Sequence, residues 1–176
     1  GKTGTSAIKK NELFSNKNIS HNKILNKQQL VKLLKIYKKN NIKIGFTNGC
    51  FDILHQGHIN YLEESKKLCD ILIIAINSDS SVKINKGKSR PINDQKSRAK
   101  VLASLCSSDH IIIFNEKTPL NIINLIKPAV ITKGGDYKES EIVGAQQIKK
   151  WGGKVNIIKF TKGASTTNII KKLLMN

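Results

Sequence analysis

Residues 71–76 read Ile71-Leu72-Ile73-Ile74-Ala75-Ile76, an unbroken apolar run between Asp70 and Asn77. A strand with one wet face alternates polar and apolar side chains. A run without polar breaks is typical of a strand covered on both faces of a parallel sheet. Toward the N-terminus, Ile42–Asn48 reads as a strand and Gly57–Leu68 as a helix turning Ile59, Leu62 and Leu68 inward. Further back, Asn26 is placed to cap a helix in which Leu30, Leu33, Leu34 and Tyr37 recur at helical spacing, up to a stop at Asn40-Asn41. Toward the C-terminus comes a helix over Asp94–Cys106, with Val101, Leu102 and Leu105 on one side, and then a strand at His110–Phe114. A helix over Leu120–Ile126, closed by Pro128, leads to a strand at Ala129–Thr132. A helix over Glu139–Trp151 ends at Gly152-Gly153, followed by a strand at Val155–Phe160 and a last helix over Ser165–Met175. Short strands alternating with helices predict a doubly wound α/β sandwich around a five-stranded, mostly parallel sheet. Ligands of such sheets sit beyond the carboxyl ends of the strands, so the loops there are where chemistry belongs.

The whole chain has 176 residues, enough for one domain and a short appendage. Apolar residues make up 39% and charged residues 24%, a balance that supports a core and argues against wholesale disorder. No apolar run approaches the roughly 20 residues that span a bilayer, and no signal peptide precedes them, so neither a membrane partner nor export is expected. The net charge of +19 raises nucleic acid as a partner, but of the basic residues all except Arg90 and Arg98 are lysine. Arginine is the residue favoured for bidentate phosphate and base contacts, and the lysines here are scattered through every segment alongside many Asn and Ile. That pattern reads as compositional bias, and no nucleic-acid partner is expected. Three cysteines, Cys50, Cys69 and Cys106, without CxxC spacing suit a reducing cytoplasm.

The loop after the first long strand reads Thr47-Asn48-Gly49-Cys50-Phe51-Asp52-Ile53-Leu54-His55-Gln56-Gly57-His58 and runs straight into a helix. Gly49 allows a sharp turn that leaves amide N–H groups facing an anion, and Gly57 lets a ligand approach the helix start, where exposed N–H groups favour phosphate. His55 and His58, three residues apart, project toward one spot. Two blander readings stand beside this one: half of a zinc site completed by Cys50 or Cys69, and ordinary surface histidines.

The stretch GCFDILHQGH, residues 49–58, resembles the GxFDxxHxGH signature of the nucleotidyltransferase superfamily, in its cytidylyltransferase-like branch. Asn77-Ser78-Asp79, Lys86-Gly87, Arg90-Pro91-Ile92, Arg98 with Val101-Leu102, Lys133-Gly134-Gly135-Asp136-Tyr137 and Gly163 with Ser165-Thr166-Thr167 follow in order. Together they resemble the D-glycero-β-D-manno-heptose 1-phosphate adenylyltransferase family over residues 26–176. The resemblance implies a Rossmann-like fold and adenylyl transfer from ATP to the sugar 1-phosphate, giving ADP-heptose and pyrophosphate for lipopolysaccharide precursors. The alternative is a cytidylyltransferase acting on glycerol 3-phosphate or a similar phosphoalcohol. Against it, Phe160 stands where those relatives carry an Arg, and KGGDY replaces a different Gly-Asp segment. The Thr47 hydroxyl and the amides of Gly49, Cys50 and Phe51 are expected to hold nucleotide phosphates. The resemblance makes His55, His58 and Lys86 catalytic, His58 nearest the α-phosphate, with Lys86 on a mobile Gly-containing segment. Lys133, Gly134 and Asp136 border the adenine pocket, and Ser165 and Thr166 meet the outer phosphates. Asp52, Asp79, Arg90 and Arg98 fall in the acceptor region. The resemblance puts Asp52 and Asp79 near the acceptor sugar and any bound Mg²⁺, with bracing of loop backbone as the other reading. Arg98 is favoured as a phosphate anchor, with an ion pair to Asp94 as its rival. Mg²⁺ is expected with ATP, with no dedicated protein metal site.

Residues 1–25 read as a tail. Gly1–Ile8 with Glu12-Leu13, and no initiator Met ahead of them, resemble the end of a ribokinase-like sugar kinase, and a cloning remnant is the plainer explanation of Gly1–Ser6. The implied partners are ATP, a sugar 1-phosphate, a second copy in a homodimer or larger homo-oligomer, and a covalently linked kinase domain.

Overall fold

The computed structural model describes residues 23–159. In chain order its elements are β1 (Ile24–Leu25), α1 (Lys27–Lys39), β2 (Ile44–Gly49), α2 (Gln56–Lys67), β3 (Ile71–Asn77), α3 (Asp79–Lys86) and α4 (Gln95–Ala103). Then come β4 (His110–Phe114), α5 (Leu120–Ile126), β5 (Val130–Gly134), a 3₁₀ turn (Glu139–Glu141), α6 (Ala145–Lys149) and β6 (Lys154–Ile158). The strands form one sheet of order β1-β4-β3-β2-β5-β6, and every pairing in it is parallel.

The reading of residues 71–76 is met strand-face by strand-face. Ile71, Ile73 and Ala75 join a core with residues of α1, α5 and α6, while Leu72, Ile74 and Ile76 join a second core with Tyr61, Leu62, Ala99 and Leu102 of α2 and α4. Both faces of β3 are therefore covered, and each large side chain buried there contributes about 1.5–3 kcal/mol.

Helix starts are set by local polar chemistry. Asn26 and Gln29 exchange hydrogen bonds of 2.9 and 2.8 Å, closing a capping box on α1. Ser78 accepts from Ser81 N at the head of α3, and Asp94 accepts from Lys96 and Ser97 at the head of α4.

Four expectations are corrected. The sheet has six strands, not five, because Ile24 and Leu25, assigned to the tail, pair with Ile111 and Ile112. Residues 79–86 form a helix that periodicity misses, since its buried residues are only Ser81 and Val82. The helix expected over Glu139–Trp151 is interrupted: Gly144 has φ 91°, and a Cβ there would lie 2.7 Å from Ile123 Cδ1. Val101, expected inward, is 50% exposed, because α4 turns Ala99 and Leu102 to the core instead. The final helix, with Phe160, lies outside the described residues.

The chain runs from β2 to β3 to β4 on one side, then crosses back to place β5 and β6 on the other. That reversal opens a crevice beyond the carboxyl ends of β2 and β5. Asn48-Gly49 and Lys133-Gly134 stand at its two lips.

Candidate active site

The loop leaving β2 is shaped by a side chain packed on a glycine. Phe51, not Gly49, carries the left-handed backbone (φ 47°), and its ring lies against Gly49, where a Cβ would come within 2.9 Å of Phe51 Cε2. The loop then delivers His55 as the N-cap of α2 in extended conformation, with no side-chain capping bond. One turn on, the His58 ring stacks on His55 with centroids 3.9 Å apart, and Phe51 leans on His58 at 5.3 Å. Neither Nδ1 of His55 nor Nδ1 of His58 has a hydrogen-bond partner among the described residues, though both atoms are buried. Unpaired buried polar atoms are costly, so a pair of them points to a ligand that completes them.

Positive charge surrounds the same spot. A cavity of about 370 Å³ is lined by His58, Lys86, Arg90 and Lys133 together with Asn48, Gly49, Cys50 and Tyr137. Burial, the neighbouring His55 and the Lys86 charge push His58 down to about 4. Burial lowers His55 as well. Both imidazoles are thus neutral at pH 7, each holding one N–H to donate. Lys133 Nζ reaches the Asn48 carbonyl at 3.2 Å across the crevice and lies 5.9 Å from the centre of the Tyr137 ring. Its ammonium is held below the usual lysine range by burial first and by Lys86 second. Burial also raises the Cys50 thiol, against the opposing charges of Lys86 and Arg98.

The third wall is tied by two ion pairs, Arg90–Asp52 and Arg98–Asp79. Asp52 accepts Arg90 Nε at 2.7 Å, Ile92 N at 2.9 Å and Asn93 N at 2.8 Å. Burial raises the Asp52 carboxyl, but these backbone N–H groups and Arg90 outweigh it, and the net shift is downward. Arg98, 2% exposed, donates to the carbonyls of Cys50 (2.7 Å), Asn77 (2.8 Å) and Asn93 (3.0 Å) and to Asp79 Oδ1 (2.8 Å). The β2 loop, the end of β3 and the segment before α4 are joined through this one guanidinium.

The sequence profile described as cytidylyltransferase-like matches residues 46–172, most of the chain and the whole of this site. The chain belongs to the cytidylyltransferase-like family. As the family indicates, it is a nucleotidyltransferase. It is 43% identical over 178 residues to the bifunctional protein HldE of Geobacter metallireducens, covering 99% of this chain and 36% of that protein. It is 47% identical over 176 residues to HldE of Actinobacillus succinogenes, covering 98% and 37%. The chain thus spans a little over a third of the length of these curated relatives. The lipopolysaccharide core biosynthesis protein of Thermoplasma volcanium has a solved structure similar to this one, with TM-score 0.57 and 36% identity, covering 70% of this chain and 99% of that one. Pantoate–β-alanine ligase of Francisella tularensis shares the fold alone, at TM-score 0.57 and 18% identity, covering 85% of this chain and 73% of that one.

Within this cytidylyltransferase-like site several sequence assignments are relocated. Thr47 is fully buried, and its hydroxyl bonds Tyr61 OH rather than facing the cavity. Lys86 ends helix α3 instead of riding a free segment, and the glycine after it takes φ 94°. Arg98, favoured as a phosphate anchor, is enclosed by carbonyls and pairs with Asp79, and Asp94, its alternative partner, caps α4 instead. Asp52 braces backbone. Asp136 is exposed and absent from the cavity lining, while Lys133 and Gly134 are in it. Of the zinc alternative's ligands, Cys69 packs at Gly45, and among the described residues no group of three or more His, Cys, Asp or Glu is placed to hold a metal. Gly163, Ser165, Thr166 and Thr167 lie outside the described residues. Sequence reasoning missed Tyr61, Val82 and Asn85 as lining residues. Only Tyr61 carried a signal, three residues after His58 and so on the same helix face.

Proposed function

We propose that the chain transfers an adenylyl group from ATP to D-glycero-β-D-manno-heptose 1-phosphate, forming ADP-heptose and pyrophosphate. One observation carries the reading: His58, neutral and stacked on His55, lines one cavity with Lys86, Arg90 and Lys133, and the Nδ1 atoms of both histidines have no hydrogen-bond partner among the described residues. A polyphosphate satisfies both the orphaned nitrogens and the uncompensated charge. The heptose acceptor is favoured by the motifs shared with that adenylyltransferase family and by the HldE relatives.

In this reaction a phosphate oxygen of the acceptor forms a bond to the α-phosphorus while the bond to the bridging oxygen breaks, and pyrophosphate leaves with that electron pair. The attacking oxygen is already ionised at neutral pH, so no general base is needed, and catalysis rests on positioning and electrostatics. His58, desolvated and neutral, donates an N–H toward the α-phosphate. His55 and Lys133 hold the triphosphate, and Lys86, at the open end of α3, adds charge where pyrophosphate departs. Arg90, oriented by Asp52, turns its remaining N–H groups to the acceptor phosphate. Magnesium, where ATP brings it, would supply further neutralisation of phosphate charge. Both Asp52 oxygens are filled by Arg90, Ile92 and Asn93, while Asp79 accepts Arg98 on Oδ1. Residues 1–22, ahead of β1, would join this domain to a sugar kinase, consistent with the bifunctional relatives.

The test is incubation with ATP or CTP and either heptose 1-phosphate or glycerol 3-phosphate, following pyrophosphate release and product mass. ADP-heptose with kcat/KM for ATP well above that for CTP is expected. CDP-glycerol selects the cytidylyltransferase alternative, and no pyrophosphate with any pair overturns nucleotidyl transfer by these substrates.

A further inference from the structure

The hydrogen-bond ladder between β2 and β5 runs through Gly45–Val130 and Phe46–Ile131. The next residues of the two strands are Thr47 and Thr132, both fully buried. Their hydroxyls are bridged by Tyr61 of α2, whose OH bonds Thr47 Oγ1 and lies 3.3 Å from Thr132 Oγ1. Where backbone pairing stops, a side chain from a third element takes its place. One residue beyond this bridge on each strand, Lys133 reaches back to the Asn48 carbonyl, and one turn before Tyr61 on α2 stands His58. Tyr61 is 4% exposed and its ring forms part of the cavity wall.

We infer that Tyr61 is a positioning residue: its hydroxyl sets the opening of the crevice between β2 and β5 and fixes His58 on α2 against Lys133. A helix packed by apolar contacts alone can slide by a fraction of an ångström at little cost. A hydroxyl shared between two strand ends cannot, because both threonines are buried and would lose their partner. Displacements of about 1 Å at a reacting centre cost on the order of 10²-fold in rate. The inference rests on the proposed nucleotidyl transfer for its kinetic consequence.

Tyr61→Phe keeps the ring and removes the bridge. Expected are a folded protein, kcat lowered roughly 10- to 100-fold with little change in KM for ATP, and His58 titrating above about 4 in the ligand-free protein followed by NMR. Normal turnover, or a His58 titration that does not move, overturns the inference. Should Tyr61→Phe fail to fold, Thr132→Val replaces it. That variant keeps the Tyr61–Thr47 bond, so a smaller fall in kcat is expected, and unchanged turnover overturns the inference. If the parent protein forms no nucleotide product, the functional reading has failed, and the titration without substrates still decides the role of Tyr61.

Discussion

His58 concentrates the chemistry of this site in one side chain. Its ring is held by His55 and Phe51, its Nδ1 has no partner among the described residues, and its charge is suppressed by burial. His58→Ala should stay folded yet lose about 10²–10³ in kcat, the usual cost of removing one donor to transition-state charge. The effect should fall on kcat more than on KM, and Lys149→Ala, whose lysine pairs with exposed Glu139, serves as the control for lost positive charge. Near-normal turnover of His58→Ala at saturating substrates would contradict the mechanism. The same burial has a consequence for stability. His58 and His110 are both pushed down to about 4 from 6.5. A group that binds its proton more weakly when folded favours the folded state above 6.5, and that contribution is lost as pH falls from 6.5 through 4. Asp52 and Asp94, shifted downward, lose theirs in a lower window, below the usual carboxylate value. Thermal melts should therefore fall in two stages on acidification, and a His58→Ala, His110→Asn double variant should flatten the first stage alone.

The elements divide into those that periodicity reveals and those that it does not. Buried β3, the capped start of α1 and the strand-to-helix turn at His55 are all readable, because apolar runs and capping residues act locally. Helix α3 is not, since its inward positions are Ser81 and Val82, and Ser81 is held by polar bonds to Ser78 and the Glu116 carbonyl. The site shows the same split. The histidines, Lys86, Arg90 and Lys133 can be named from motif positions. Apart from the short link from Arg98 to the Asn93 carbonyl, the bonds that occupy Thr47, Asp52 and Arg98 connect residues 14 to 48 apart in sequence, and no spacing rule reports them. Arg98 makes the difference measurable. A phosphate anchor would raise KM and leave stability alone, whereas a buried tie between three segments should destabilise when cut. Arg98→Ala is expected to cost about 3–5 kcal/mol in denaturant unfolding, with activity falling as a consequence. An unchanged unfolding midpoint with a raised KM for the acceptor would return Arg98 to the phosphate.

At the scale of the molecule, the parallel sheet has one edge that depends on a very short strand. β1 contributes only Ile24 and Leu25, yet Leu25 is 9% exposed, Ile111 N donates to the Lys23 carbonyl at 2.8 Å, and Lys23 Nζ reaches the Leu105 carbonyl at 2.9 Å. The folded unit therefore reaches back at least to Lys23, three residues before the boundary expected at Asn26. Two truncations separate the possibilities. Removing residues 1–22 should leave the unfolding midpoint and turnover close to those of the full chain. Removing residues 1–25 takes away Leu25 and uncovers the β4 edge; the lost burial alone costs about 1.5–3 kcal/mol. An uncovered edge beside Ile111 and Ile112 also presents unpaired backbone groups to other chains, so this variant should aggregate on warming where the shorter truncation does not. The active site lies at the other side of the sheet order, around β2 and β5, so whatever of the longer truncation remains folded should keep its KM for ATP. Equal midpoints for the two truncations, measured by denaturant unfolding with light scattering alongside, would place the boundary at Asn26 and make β1 dispensable.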